Sequence, residues 1–307
     1  MPRTLFIGDI NVDVMMGGME SLPVVDREVT CQTYDVVMGA STVICACAYA
    51  SLGGDASIAG LAARDDYGEF MIRGLGELGV KTDLVRRTDH VRTGVTVNLI
   101  YGSTRTQVTY QGTLAEFDGR EVPDSILDGF NHVHFGGVYL LQKLRPEITR
   151  LLKAAAARGV TSSLDPQWDS SEKWDGMNEW LPLLTYLFVN EHEAPSLARA
   201  SSPAEACKKL AARTHMPLVK VGPDGVMLCV DGEVKKVPSY PVEVVDTTGA
   251  GDSFDAGFLF ATIEKKMDPA AACAFANAVA ARSCTFVGGV NARTSYEDAL
   301  RFRAERR

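Results

Sequence analysis

The sequence predicts an α/β fold: a doubly wound, largely parallel sheet flanked by helices, with a small β-sheet lid. Two features of the 307-residue chain carry this prediction. From "HVHFGGVYL" onward, short apolar strands alternate with helical stretches, the pattern of a parallel sheet with crossover helices. Nearer the N-terminus, two β-prone insertions without helical periodicity interrupt that alternation and suggest a second sheet.

Taken in order, "RTLFIGDINVDVMM" begins as an apolar strand and breaks at Gly8. The segment from Gly17 to Val37 is polar and β-prone and contains Pro23. "GASTVICACAYASL" is small and apolar, and its length and closing Gly53-Gly54 favour a tightly packed helix. "DASIAGLAA" reads as strand and turn, and "DDYGEFMIRGLGELG" as an amphipathic helix. "GVTVNLIYGSTRTQVTYQG" alternates and turns at Gly102-Ser103, a β-hairpin on which Arg105 reads as a solvated charge. The remaining strands are "VTSSLD", "YLFVN", "PLVKVG", "VMLCV" and "VEVVD"; the remaining helices are "PEITRLLKAAAARG", "SPAEACKKLAARTH", "DSFDAGFLFATIEKK" and "PAAACAFANAVAARSC". The expected partition is a body of residues 1–13, 38–92 and 113–307 and a lid of residues 14–37 and 93–112, placed over the C-terminal ends of the body strands.

The net charge of −8 argues against nucleic acid or an anionic membrane as the main partner, so a polyanionic ligand must be met by local donors or a metal. No apolar run approaches the ~20 residues of a membrane helix, and the N-terminus reads directly into a strand, so a cytoplasmic location is expected. The seven cysteines are scattered through apolar runs as small core residues of a reducing compartment. The five histidines form no metal motif; His132 and His134 share a strand face in a structural role. Trp168, Trp174 and Trp180 cluster as packing residues.

"GLGELG" (Gly74 to Gly79) satisfies the dinucleotide pattern G-x-G-x-x-G, but it closes a helix where the motif must open one. That placement argues against a dehydrogenase, and no P-loop sequence occurs. "DTTGAGD" has the right setting: a strand, a turn of small residues, then a helix. Small residues let backbone N–H groups approach a phosphate closely. Asp252 either caps the helix or faces a neutral hydroxyl that must lose a proton, and the pattern leaves both open.

"DTTGAGDSFDAGF" closely resembles the C-terminal signature of the ribokinase-like (PfkB) family of carbohydrate and nucleoside kinases. The resemblance spans the chain: "GDINVD" is similar to the family's first-strand motif, "MGASTVICACAYASLGG" to its glycine-led second motif, and "NEHE" to its N-x-x-E motif. "VKVGPDG" and "FANAVAARSCTFVGG" resemble its nucleotide-site strand and adenine-pocket helix. The resemblance implies Asp252 as the base on the acceptor hydroxyl, with Gly249, Ala250 and Gly251 as the anion hole for the γ-phosphoryl of ATP. It implies Asn190 and Glu193 as holders of Mg²⁺-bound phosphates through water, and Lys220, Gly222, Gly225 and Asn277 as the nucleotide site. Asn11, Asp13 and Gly39 would hold the acceptor, Asp9 would neighbour those acids, and Asp246 and Thr248 fall where potassium-dependent members bind K⁺ beside residues 287–291. Asp255, three residues after Asp252, is assigned a helix-surface or supporting role.

The departures lie on the acceptor side. Met38 replaces a glycine, Val43 and Ile44 occupy the region of a hydroxyl-binding asparagine, Leu144 stands where ribokinases carry a glutamate, and "DPQWD" offers Gln167 where an asparagine is frequent. Such changes suggest a less hydroxylated acceptor, including a nucleoside. The expected function is therefore an ATP-dependent kinase for a sugar or sugar derivative, with a nucleoside kinase as the alternative. A non-catalytic ligand sensor would have lost Asp252 or its loop, and both are present. A free-edged lid sheet, as in relatives that pair through it, implies a homodimer.

Overall fold

The strand-and-helix alternation folds into one large sheet. The computed structural model describes residues 1–102 and 104–306, with residues 104 and 105 described in their backbone alone, so the Arg105 side chain lies outside the described residues. The strands are β1 (Arg3–Ile7), β2 (Asn11–Gly17), β3 (Thr33–Met38), β4 (Asp55–Ala59), β5 (Leu61–Ala63), β6 (Arg86–Thr88) and β7 (Gly94–Tyr101). They continue as β8 (Thr104–Tyr110), β9 (His132–Gly136), β10 (Thr161–Asp165), β11 (Tyr186–Asn190), β12 (Met216–Lys220), β13 (Val226–Val230) and β14 (Glu233–Val237). The helices are α1 (Ser41–Ser51), α2 (Asp66–Glu77), α3 (Thr113–Glu116), α4 (Ile148–Ala157) and α5 (Met177–Trp180). They continue as α6 (Glu193–Ala198), α7 (Pro203–Ala211), α8 (Ala250–Ile263), α9 (Pro269–Ser283) and α10 (Tyr296–Glu305).

The body sheet has the order β14-β13-β12-β11-β10-β9-β1-β4, parallel from β4 through β12 and closed by an antiparallel hairpin. Helices cover both faces, which is why strands such as β11 are apolar throughout: Leu187, Phe188 and Val189 are fully buried. Helices α8 and α9 are buried nearly all round, and Gly257 permits their contact, since a Cβ there would fall 2.9 Å from Ala276 Cα.

A separate four-stranded sheet has the order β3-β2-β7-β8. It begins at Asn11, three residues earlier than expected, and takes in Met38, because Val12 pairs with Met38 and Asn11 with Gly94. The alternation of its strands makes two different faces. Asn11, Asp13, Thr96, Asn98, Gln107 and Thr109 share one; Val14, Val36, Val97 and Val108 are direct neighbours across the other.

Several elements differ from the sequence reading, which also has no counterpart for β6, α5, α6 and α10. Residues 242–246 form no strand: Val244 and Val245 are each 57% exposed, and the N–H groups of Val245 and Asp246 donate to the Cys284 carbonyl. The body edge is instead β14, a lysine-bearing strand that the sequence reading leaves unassigned. "DASIAGLAA" holds two strands, β4 and β5, and β5 pairs with β6 in a two-stranded sheet. No described helix is long and apolar enough to cross a membrane.

Candidate active site

Helix α8 starts at the C-terminal side of the body strands, preceded by Gly249 in a left-handed conformation (φ 73°). No side chain caps this helix. The capping reading of Asp252 therefore fails; the Ala250 N–H donates to the Thr247 carbonyl, and the following N–H groups of the first turn keep the positive end of the helix dipole available to an anion. Gly249 has no room for a side chain, since a Cβ would fall 2.8 Å from both Gly289 Cα and Ile44 Cγ2. Gly249→Ala is expected to lower stability by about 1–3 kcal/mol, from the left-handed backbone and the crowding together. Chemical denaturation of the variant checks this, and an unchanged midpoint would contradict it.

Asp252 lies in the first turn of α8 and is 8% exposed. Its Oδ1 accepts a 2.5 Å hydrogen bond from Ser41 Oγ at the start of α1. Burial, and then the charge of Asp165, push its carboxyl up to about 7, with the Ser41 hydrogen bond acting in the opposite direction. Asp9 anchors α1 by accepting from the N–H groups of Ser41 and Thr42 and from Thr42 Oγ1.

Lys220, at the end of β12, donates to Asp165 Oδ2 (2.7 Å) and to both oxygens of Asp255 (3.1 and 3.2 Å). Asp255 is 1% exposed and is no helix-surface residue, because α8 has no solvent face at that turn. Burial opposes the lysine's charge, but the two carboxylates hold its pKa above the ordinary lysine value. Asp165, Asp252 and Asp255 bring oxygens within 4.8 Å of one another. The cation that two of these carboxylates meet is the lysine, so the cluster reads as an ion-pair centre.

Beside this centre opens a cavity of about 620 Å³ whose lining includes Lys220, Gly222, Gly225, Ala250, Gly251 and Asn277. Its size and largely apolar wall suit a planar base joined to a polar chain. At Gly251 a Cβ would stand 3.2 Å from Lys220 Nζ. Asn277 spends its amide protons on the carbonyls of Val237 and Pro238, bracing the wall. Gly225 has φ 100°, and a Cβ there would fall 2.1 Å from the Val237 carbonyl oxygen.

Asn190 and Glu193 close on each other: Asn190 Oδ1 accepts from the N–H groups of His192 and Glu193, and Glu193 Oε2 accepts from Asn190 N. Glu193 is 3% exposed, and burial followed by the Asp165 charge pushes its carboxyl up to about 7. Asp246 accepts from Thr248 N and Oγ1 and from Gly288 N, tying the approach to α8 to the 287–291 loop.

On the acceptor side, Asn11 Nδ2 donates to Asp13 Oδ1 (3.2 Å) and Thr96 Oγ1 (3.4 Å). Gly39 lets Asp13 lie close, since a Cβ would fall 2.3 Å from the Asp13 carboxyl carbon. Gln107 Nε2 donates to Asn98 Oδ1 (2.9 Å), and Thr96 Oγ1 meets Thr109 Oγ1 (3.0 Å).

A family model described as pfkB family carbohydrate kinase matches residues 3–295. The chain belongs to the pfkB family. It is thus a small-molecule kinase, a phosphotransferase with an alcohol group as acceptor. The ribokinase of Bacillus subtilis (strain 168) is 29% identical to it, over 98% of this chain and 100% of that protein. The ATP-dependent ribose-1-phosphate kinase of Halopiger xanaduensis is also 29% identical, over 96% of each. The crystal structure of a putative ribokinase II from E.coli in complex with ATP and Mg²⁺ has the same fold, with TM-score 0.88 and 22% identity, covering 99% of this chain and 100% of that one.

Two readings of the acceptor side change. Val43 (0% exposed) belongs to the core, and Ile44 (4%) packs under Gly249 and Gly289, so neither forms an apolar acceptor wall. Leu144 is likewise fully buried in the core. Sequence reasoning passed over Ser41, Asp165 and the polar lid residues Thr96, Asn98 and Gln107. The last three had a visible signal, the alternation in "GVTVNLIY" and "TRTQVTY". Trp174 and Trp180 are buried packing residues, and Trp174 meets Trp168 and Tyr139 edge to face, whereas Trp168 is 44% exposed.

Proposed function

We propose that this chain is an ATP-dependent kinase that transfers the γ-phosphoryl group to a hydroxyl of a sugar or sugar derivative. The observation that carries the reading is the buried Asp252 carboxyl, raised to about 7, at the uncapped start of α8 beside a nucleotide-sized cavity. A carboxyl so placed takes a proton from an acceptor hydroxyl as the phosphoryl group arrives, while the anion-hole residues Gly249 and Gly251 offer N–H groups to the transferring charge; the Ala250 N–H here donates to the Thr247 carbonyl at 3.2 Å and must be released to join them. ATP fits the cavity lined by Lys220, Gly222, Gly225 and Asn277. Asn190 and the buried Glu193 would hold Mg²⁺ through water, and the ion neutralises phosphate charge when bound. Asp246 and Thr248 are the residues offered to K⁺ beside the 287–291 loop, and dependence of turnover on added K⁺ reads that out.

The acceptor is assigned as hydroxylated because the wall facing it is polar. Asn11, Asp13, Thr96, Asn98 and Gln107 present amide, hydroxyl and carboxylate groups, with Gly39 setting the position of Asp13. This wall favours a sugar over a nucleoside, since the apolar residues that had suggested a base are core residues. The test is acceptor-dependent ADP release as a function of pH. Asp252 acts as base only when ionised, so kcat/KM is expected to fall as pH drops below about 7. A profile flat through that region contradicts the assignment.

The outer lid face supports a homodimer. Val14, Val36, Val97 and Val108 form a row across it, with Tyr34, Met16 and Leu99 adjacent, and Val108 and Tyr34 are each 60% exposed. A two-fold axis would lay this apolar face on its own copy. Val108→Asp is expected to convert a dimer to a monomer in light scattering, whereas a wild-type chain already monomeric at assay concentration removes the reading.

A further inference from the structure

A chain of hydrogen bonds runs from the nucleotide cavity to the proposed base through residues that have no part in the function above. Lys220 Nζ donates to Asp165 Oδ2 at 2.7 Å. The other oxygen, Asp165 Oδ1, accepts from Gln167 N at 3.0 Å and from Gln167 Nε2 at 3.4 Å. The same Nε2 donates to Ser41 Oγ at 3.1 Å. Ser41 then gives its hydroxyl proton to Asp252 Oδ1 at 2.5 Å.

The proton count fixes the direction of each link. An amide nitrogen has two protons, and here one goes to a carboxylate and the other to a hydroxyl. A serine hydroxyl has one proton, so a serine that accepts from Gln167 can give that proton only once, to Asp252. The carboxylate of Asp252 is thereby turned on one edge. Its Oδ2 has no hydrogen-bond partner among the described residues and is the oxygen left for an acceptor.

The backbone spends strain to make this arrangement. Gln167 has φ 58° and Ala40, immediately before Ser41, has φ 74°, left-handed conformations that non-glycine residues avoid. Such strain persists where surrounding structure fixes it, and it is concentrated at functional positions. Asp9, which accepts from the N–H groups of Ser41 and Thr42, holds the start of α1 so that the hydroxyl points at Asp252.

We propose that Ser41 and Gln167 are positioning residues for the base, orienting the Asp252 carboxylate and linking it through Asp165 to the Lys220 ammonium at the nucleotide cavity. This rests on the reading of Asp252 as the base. Neither residue touches the reacting atoms; both act through Asp252.

The charged groups facing Asp252 are Asp165 from β10, Lys220 from β12 and Asp9 from the turn after β1; Asp255 and Glu193 lie in the same cluster. Three of the four other carboxylates, Asp9, Asp255 and Glu193, are themselves raised, and Ser41 supplies a hydrogen bond that favours the ionised form of Asp252. Its loss therefore moves the ionisation of Asp252 upward.

The titration needs no acceptor. The full chain, carrying aspartate labelled with ¹³C at the side-chain carboxyl, is titrated by NMR, with the Asp252 signal assigned by its loss in Asp252→Asn. Ser41→Ala is expected to raise the Asp252 midpoint by about half to one pH unit, the size of one lost hydrogen bond. Ser41→Thr, which keeps the hydroxyl, returns it to the wild-type value, and Gln167→Met moves it in the same direction as Ser41→Ala by a smaller amount. A midpoint unchanged in Ser41→Ala, or one displaced equally in Ser41→Thr, overturns the proposal. Turnover that survives in Asp252→Asn would instead remove the base reading, whatever the titration shows.

Discussion

Asp252→Asn is expected to reduce phosphoryl transfer by about 10²–10⁴-fold, the usual contribution of a positioned general base, while MgATP binding is retained. The substitution preserves shape, and the asparagine carbonyl oxygen still accepts the Ser41 hydrogen bond, so α8 and its loop stay in place. What it removes is the ability to take a proton. It also removes a negative charge from a centre where Asp165, Asp255 and Glu193 face one lysine, so a polyphosphate is bound no less tightly. Steady-state kinetics with calorimetric titration of MgATP checks both parts. Turnover near wild type would place the base elsewhere.

The second large effect concerns Lys220. Lys220→Met leaves Asp165 and Asp255 buried at about 1% exposure without their shared cation. Removing one partner of a buried ion pair costs about 3–5 kcal/mol, because the remaining charge is neither solvated nor paired. The pH dependence has a definite sign. In the wild type, Lys220 holds Asp165 below its ordinary value despite burial. Without it, burial dominates: Asp165 rises above its unfolded value, and Asp255, already raised beside the lysine, rises further. Groups raised in the folded state destabilise it progressively as pH rises above the unfolded pKa. The variant's deficit is therefore largest at neutral pH and shrinks toward about pH 5, where the folded state can hold the extra protons. Urea denaturation at two pH values measures it, and a deficit that is small or independent of pH would show that the ion pair is not what holds this centre.

Much of the body was legible because buried parallel strands are apolar on both faces, as in "YLFVN", and because amphipathic runs such as "PEITRLLKAAAARG" mark their helices. "VEVVD" misled for a related reason. Its β-branched residues have strand propensity, but propensity does not supply a neighbouring edge, and β14 already occupies it. The site splits along the same line. The "DTTGAGD" loop, the small residues at its heart and the acid after them are contiguous, so their chemistry can be read locally. The link from Asp252 to Ser41 spans 211 residues and that from Gln167 to Ser41 spans 126, and nothing local marks either. Val43 and Ile44 show a further limit: a motif gives a position along the chain, whereas the helix of α1 turns both side chains into packing. The helix-surface alternative for Asp255 fails, and the supporting one fits its pairing with Lys220, because spacing from Asp252 defines a helix face but not whether that face meets water.

The proposed activity is acceptor-dependent phosphoryl transfer from ATP. It is tested most directly by measuring ADP release with Mg²⁺ and K⁺ across a panel of sugars, sugar acids and nucleosides, with Asp252→Asn alongside. Turnover is expected with at least one hydroxylated sugar or sugar derivative, and its loss is expected in the variant. ATP bound by the wild-type chain, with no acceptor in the panel raising ADP release above the rate without one, would contradict it.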